Sequence, residues 1–89
     1  MERKIYLVMW ITRLTLEPNV SSRIYTSFET YLFSSFKKAC NFIQDHKESV
    51  IKRGFEINKS IPDMLVFTQM ETNGDLYRHE LSVVTKTVQ

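Results

Sequence analysis

The clearest pattern of apolar and polar positions lies in residues 33–55, where it repeats with helical spacing. At about 100° per residue, one face carries the stem of Lys47 with Phe36, Ala39, Cys40, Ile43 and Val50. The opposite face carries Lys38, Asn41, Asp45, Glu48 and Lys52. Ser34 suits the N-cap, and Gly54 suits the left-handed residue that ends many helices. The pattern predicts one amphipathic helix with marked ends.

The segments before this helix are typical of strands. Residues 4–14 are apolar on both alternating sets, namely Ile5, Leu7, Met9 and Ile11 on one and Tyr6, Val8 and Trp10 on the other. A strand covered on both faces has this pattern. Residues 23–32 are rich in β-branched and aromatic side chains, which favours a second strand. Pro18 and its polar neighbours indicate the connection between the two strands.

The segments after the helix predict a hairpin. Residues 56–63 are interpreted as a polar connector, and residues 64–72 and 75–88 flank Asn73-Gly74, the sequence of a two-residue type I′ turn. That turn would place Val66 opposite Leu81 and Thr68 opposite His79, on the face expected to meet the helix. Phe67 would then lie opposite Glu80 on the other face.

These elements predict a single α+β domain over residues 1–89. The expected layout is strand, strand, helix, strand, strand, with the helix packed on one face of a four-stranded antiparallel sheet. Sequential pairing favours strand order 2-1-3-4, which makes the doubly apolar first strand central. Order 2-1-4-3 stays open as the alternative, with strands 1 and 4 as parallel neighbours.

Three short stretches are similar to a group of small proteins common in phages and other mobile elements. They are Ile5-Tyr6-Leu7-Val8, Phe33-Ser34-Ser35 and Lys38-Ala39, followed by Phe42-Ile43 where the group has a Tyr-Ile pair. The chain departs from the group at Lys37, where an acidic residue would complete a capping box. The resemblance covers under half of the chain. It implies the same order of elements and a phage or mobile-element origin, and it implies no chemistry.

Composition narrows the functional classes. The 89 residues carry a formal net charge of +2, which is a weak electrostatic argument for a nucleic-acid partner. A single cysteine cannot form an internal disulfide, so the composition fits a reducing, cytoplasmic compartment. The apolar run 5–11 is too short to span a bilayer and lacks the cleavage site of a signal peptide. No membrane association is expected.

The residue types that carry catalysis or bind metals are few and scattered. Cys40 is expected to be an inert core thiol, and His79 a hydrogen-bonded structural histidine on the core side. One cysteine with two separated histidines, His46 and His79, does not form a metal site, and no cofactor is indicated. Neither glycine belongs to a phosphate-binding motif. We therefore expect no enzymatic activity, unless a pocket places His79 beside a carboxylate.

The sheet face turned away from the helix is the predicted site of interaction. Its expected residues are Tyr6, Val8, Trp10, Tyr25, Tyr31, Leu65 and Phe67. A lone helix covers one side of a sheet, and so many exposed aromatic rings would form an unusually large apolar patch. This predicts a small binding protein that forms a homodimer or binds another protein. Partial cover by Leu14, Leu16, Val84 and Val88 is the alternative.

A second functional hypothesis is the binding of single-stranded nucleic acid. An open sheet with exposed aromatic side chains can stack bases, and basic side chains beside it can contact phosphates. The basic candidates are Arg13, Arg23, Arg78 and Lys86. The low net charge and the lack of an RNP-type motif argue against this hypothesis.

Overall fold

A computed structural model describes residues 3–15, 25–72 and 74–88. Its elements are β1 (Arg3–Thr15), β2 (Tyr25–Phe33), α1 (Phe36–Arg53), β3 (Glu56–Ile61), β4 (Met64–Met70) and β5 (Leu76–Val88). The predicted class, α+β with one helix and an antiparallel sheet, is confirmed. Leu16 and Arg23 lie outside the described residues.

The sheet has five strands in the order β2-β1-β5-β4-β3, and each neighbouring pair is antiparallel. The predicted four strands and the order 2-1-3-4 are therefore wrong. The segment interpreted as a connector is strand β3, whose polar side chains Glu56 and Lys59 are exposed at an edge of the sheet. The alternative order, 2-1-4-3, correctly placed the last strand beside the first, but it made these two strands parallel, and they are antiparallel. Because β3 reverses the chain once more, β5 meets β1 antiparallel.

The hairpin between β4 and β5 differs from the predicted register by one residue. Leu65 pairs with Leu81 and Phe67 with His79, because the loop closes between Glu71 and Asp75. The Glu71 amide donates to the Asp75 carbonyl at 2.9 Å, and Gly74, at φ 92°, donates to the Glu71 carbonyl at 3.0 Å. A shift of one residue turns a strand over. Leu65 and Phe67 therefore face the helix, where Val66 and Thr68 were expected.

The helix ends agree closely with the sequence analysis. The N-cap is Ser35, one residue later than predicted, and its hydroxyl accepts a hydrogen bond from the Lys38 amide at 3.2 Å. Gly54 ends the helix at φ 76°, as predicted. Its amide donates to Ile51, and the Phe55 amide donates to Val50 at 3.2 Å, which is the hydrogen-bond pair of a Schellman ending. The chain therefore turns directly from the helix into β3.

The hydrophobic core lies between the helix and one face of the sheet, named here the covered face. Its buried residues are Val8, Ala39, Ile43, Val50, Leu65, Phe67 and Leu81. Partly buried side chains around them are Tyr6, Trp10, Tyr31, Phe33, Phe42, Phe55, Ile57 and Val83. The opposite side of the sheet is named the outer face.

Candidate functional site

The structure places the predicted interface residues on the covered face rather than on the outer face. Tyr6, Val8, Trp10, Tyr31, Leu65 and Phe67 all belong to the core or pack against it. They share one face, as expected, but the helix lies on that face. Tyr25 pairs with Leu14 at the end of β2, and its side chain is outside the described part of the structure.

The width of the sheet explains this correction. A helix is about 10 Å across, whereas five strands spaced about 4.8 Å apart span roughly 24 Å. Aromatic rings fill the space beside the helix. Phe42 reaches Tyr31 at 4.9 Å between ring centroids, and Phe36 meets Tyr6 at 6.2 Å. The aromatic side chains therefore extend the cover that one helix provides.

The outer face carries aliphatic side chains with polar ones among them. By strand register its apolar members are Ile5, Leu7, Met9, Ile11, Leu32, Ile61, Met64, Val66, Met70, Leu76, Val84 and Val88, with the aromatic Phe28. The charged side chains Arg13, Arg78, Glu80 and Lys86 lie on the same face. The central members are half-buried between their neighbours, and Val66 is buried although it lies outside the core cluster. Near the sheet edges, Phe28, Leu32 and Met70 are 56%, 66% and 72% exposed.

Within the described ranges, no helix or strand lies over this outer face, since α1 packs on the covered face. The sheet is roughly 24 Å wide, so a length of about 25 Å gives a face of roughly 600 Å², polar side chains included. An apolar patch of a few hundred Å² on a monomer is often functional. The outer face is therefore the main candidate surface for binding.

A small cleft on the covered face is the second candidate site. The Trp10 indole N–H donates to His79 Nδ1 at 3.1 Å, and Thr12 Oγ1 lies 3.1 Å from the same nitrogen. Because the indole is a donor only, His79 Nδ1 accepts, and the neutral ring carries its proton on Nε2. Nε2 is buried and has no partner among the described residues. Burial lowers the pKa of His79, in agreement with a neutral ring.

The cleft beside this histidine has a volume of about 190 Å³. It is lined by Trp10, His46, Ser49, Val50, Arg53, Phe55, Phe67, Gln69 and His79. His46 lies against Trp10, with 5.0 Å between ring centroids. Among the described residues, this lining includes no carboxylate, so the arrangement that would favour an enzyme, His79 beside an acid, is not found here. His79 lies on the core side, as predicted, but opposite Phe67 instead of Thr68.

Two other groups have shifted pKa values. Burial, with a smaller contribution from Asp63, raises the pKa of the half-buried Cys40 thiol, which keeps it protonated and unreactive. The hydrogen bond to Glu29, at 2.6 Å, is the largest of the effects that raise the pKa of Tyr31. Both shifts favour the uncharged form, so neither creates a nucleophile.

The predicted nucleic-acid residues do not form one group. Arg13 and Arg78 are paired neighbours on β1 and β5, and Lys86 pairs with Ile5 near the other end of the same strands. Arg78 and Lys86 are eight positions apart along β5, a distance of roughly 26 Å. Arg23 is outside the described residues. Phe28 is the one aromatic side chain that the described strands place on the outer face.

The described residues offer neither a metal site nor a membrane-spanning helix. They contain no group of three or more His, Cys, Asp or Glu side chains able to hold a metal ion. Their helix is not long and apolar enough to cross a membrane. In comparisons with known proteins, no family model, no curated protein and no solved structure matches this chain. The candidate sites therefore depend on geometry alone.

The outer-face residues of β1 are apolar, as predicted, but they were expected in the core. The prediction for β5 was inconsistent with that expectation. Leu81 and His79 were expected on the core side. In the structure they pair with Trp10 and Thr12, so Trp10 shares their face, and Met9 and Ile11 lie on the opposite face. The length of the hairpin loop could not be predicted. It decides which of the two alternating sets of β4 side chains lies on the same face as Leu81 and His79.

Proposed function

We propose that this protein is a non-enzymatic interaction protein whose outer face packs against a second copy of the same chain. The observation that supports this proposal is the aliphatic outer face, with no described helix or strand over it. The interface proposed here consists of outer-face residues centred on Leu7, Met9 and Ile11. It replaces the aromatic set expected from the sequence.

The chemistry of the outer face favours a protein partner over single-stranded nucleic acid. Base stacking needs aromatic or guanidinium planes, whereas the centre of this face carries Leu7, Met9 and Ile11. Aliphatic side chains that point out of a pleated sheet can instead interdigitate with those of another sheet. The nucleic-acid hypothesis keeps the Arg13 and Arg78 pair as its support, and the experiment below tests it.

A second copy is the occupant that the dimensions favour. Two surfaces of roughly 600 Å² would bury about 1,200 Å² in total, the lower end of a standard interface. Two twisted sheets that pack face to face have strand directions about 30° apart. A surface that meets its own copy closes by two-fold symmetry without needing another partner. The result would be a sandwich of two sheets with a helix on each outside surface.

The biological setting is proposed from the sequence alone. The resemblance to small phage and mobile-element proteins supports a role on the surface of a host factor. The single cysteine supports a reducing, cytoplasmic compartment.

The test is the mass of the protein in solution. Light scattering after gel filtration at tens of micromolar should give at least twice the chain mass, and Met9→Glu should halve the wild-type mass. The change places a charge at the centre of the proposed interface. Asn41→Glu, which adds the same charge on the exposed side of the helix, should keep the wild-type mass. Circular dichroism should show an intact helix in both variants.

A wild-type protein that stays at one chain mass up to hundreds of micromolar would overturn the dimer. So would a Met9→Glu variant of unchanged mass. Titration with a labelled mixed-sequence oligonucleotide tests the other hypothesis in the same samples. Salt-dependent binding that Arg13→Ala and Arg78→Ala remove would support nucleic acid as the partner of this face. Trp10 fluorescence does not report on this interface, because Trp10 packs beneath the helix.

A further inference from the structure

The two edges of the sheet differ in how well they are protected from pairing with another strand. β3, at one edge, has six residues, carries Lys59 and has a register irregularity between Ile57 and Lys59. Pro62 follows it directly. Short length, a lysine, a bulge and a nearby proline are devices by which proteins block edge pairing. The β3 edge is therefore closed to strand addition.

The β2 edge has none of these devices. β2 has nine residues without glycine, proline or lysine, and each of them pairs with β1 without a bulge. Its one charged residue, Glu29, accepts a hydrogen bond from Tyr31 at 2.6 Å. β2 has no strand on its other side within the described residues. A long, regular edge strand with exposed Phe28 and Leu32 is a template for a further strand.

We propose that β2 pairs antiparallel with β2 of a second copy, centred on Thr30. This register places Phe28 opposite Leu32 of the other copy on the outer face. Two-fold symmetry repeats the pair, so two Phe28–Leu32 contacts bury these exposed apolar side chains. On the covered face it places Tyr31 opposite Glu29, the pair that is already hydrogen-bonded within one chain. Seven residues, 27–33, would pair with their counterparts.

Other registers with the same symmetry fit less well. Centring the pair on Glu29 places two carboxylates directly opposite each other, which destabilises an antiparallel pair. Centring it on Tyr31 leaves only residues 29–33 in register. Centring it on Phe28 also pairs seven residues, 25–31, but leaves Leu32 without an opposite apolar side chain. The choice of Thr30 therefore follows from overlap, from charge and from the pairing of Phe28 with Leu32.

The pairing would join two sheets into one of ten strands with both helices on the same side. It does not depend on the proposed outer-face dimer, but it fits with it. Two ten-stranded sheets stacked through their outer faces would form a closed tetramer with three perpendicular two-fold axes. The full assembly then has four chains, and loss of either interface leaves two.

Disulfide trapping tests the register directly. Opposite residues of an antiparallel pair have Cα atoms about 4.5–5.5 Å apart, within the range of about 4.4–6.8 Å that a disulfide spans. In a Cys40→Ser background, Thr30→Cys should form a covalent dimer within minutes of mild oxidation. Ser27→Cys is the matched control: it lies opposite Phe33 of the other copy and should stay monomeric on a non-reducing gel. Equal cross-linking of the two variants, or none, would contradict this register.

Charge variants test the pairing without a covalent bond. Thr30→Lys and Thr30→Glu should each halve the wild-type mass, because like charges would face each other across the symmetry axis. An equimolar mixture should recover the wild-type mass, which also shows that both variants are folded. A Thr30→Lys protein of unchanged mass would overturn the inference. The β2 edge would then be a candidate for pairing with an extended segment of another protein.

The two proposals fail in distinguishable ways. If only the outer face associates, Met9→Glu halves the mass and Thr30→Lys does not. If only the β2 edge associates, the reverse holds. If both associate, each variant has half the wild-type mass, and the double variant has one quarter.

Discussion

The two faces of this sheet use different apolar residues for different tasks. The covered face carries rings that pack against one another, such as Phe67 stacked on His79 at 4.5 Å and Phe33 tilted against Phe42 at 5.3 Å between centroids. The outer face carries aliphatic side chains on the same strands. Large rings can fill the space that one helix leaves over a wide sheet, so aromatic residues indicate the internal side here. The face available to a partner is the aliphatic one.

Leucine substitutions should separate the two faces most strongly. Leu81 is fully buried on the covered face, so Leu81→Ala should lower the free energy of unfolding by about 2–5 kcal/mol. Leu32 is 66% exposed on the outer face, so Leu32→Ala should cost below about 1 kcal/mol. Urea unfolding at a protein concentration low enough to dissociate oligomers measures both. Equal losses would show that the outer face is also packed within the chain.

The turn at the end of the helix should have an intermediate effect. Gly54 has φ 76°, and a Cβ placed there meets no atom within 4 Å, so Gly54→Ala changes backbone strain rather than packing. We expect a loss of about 1 kcal/mol in the free energy of unfolding. Gly54→Asn is the control, because asparagine tolerates this conformation better and should cost less. Equal costs for the two variants would argue against strain as the cause.

The smallest effect expected on the covered face is a dependence of stability on pH. The pKa of His79 is lowered in the folded state, so below the unfolded value of about 6.5 the unfolded chain binds more protons. The contribution of the neutral ring to stability is therefore complete above this pH, and it is lost as the pH falls from this value through the lower folded-state pKa. The fall in melting temperature between pH 7.5 and pH 5.5 should be smaller in His79→Gln than in the wild type.

His46→Gln provides the comparison for this measurement, because His46 contacts the same indole ring from the helix. Its melting temperature should change with pH as in the wild type if His79 carries the effect. If His79→Gln keeps the full pH dependence, the Trp10–His79 hydrogen bond does not couple to protonation.

Much of the local structure could be predicted from residue types. The strand pattern of residues 4–14, the amphipathic helix and its end at Gly54 depend on interactions within a few residues of chain. β3 was missed because an edge strand with one exposed side needs few apolar residues, and its polar sequence is that of a loop. The grouping of Tyr6, Val8, Trp10, Leu65 and Phe67 on one face was also correct, although that face was taken for the exposed one.

The sequence by itself determined the helix, four of the five strands and the alternation along them, because these follow from local backbone geometry. Only the tertiary structure decided which of the two alternating sets meets the helix. Either set of β1 is apolar enough to be buried, so its own pattern does not choose between them. The choice comes from distant partners: the loop between Glu71 and Asp75 sets the register of β4, and β5 then brings Leu81 and His79 beside Trp10. Contacts between residues so far apart in the chain cannot be detected in the local sequence pattern. They nevertheless determine which face of the sheet the helix leaves uncovered.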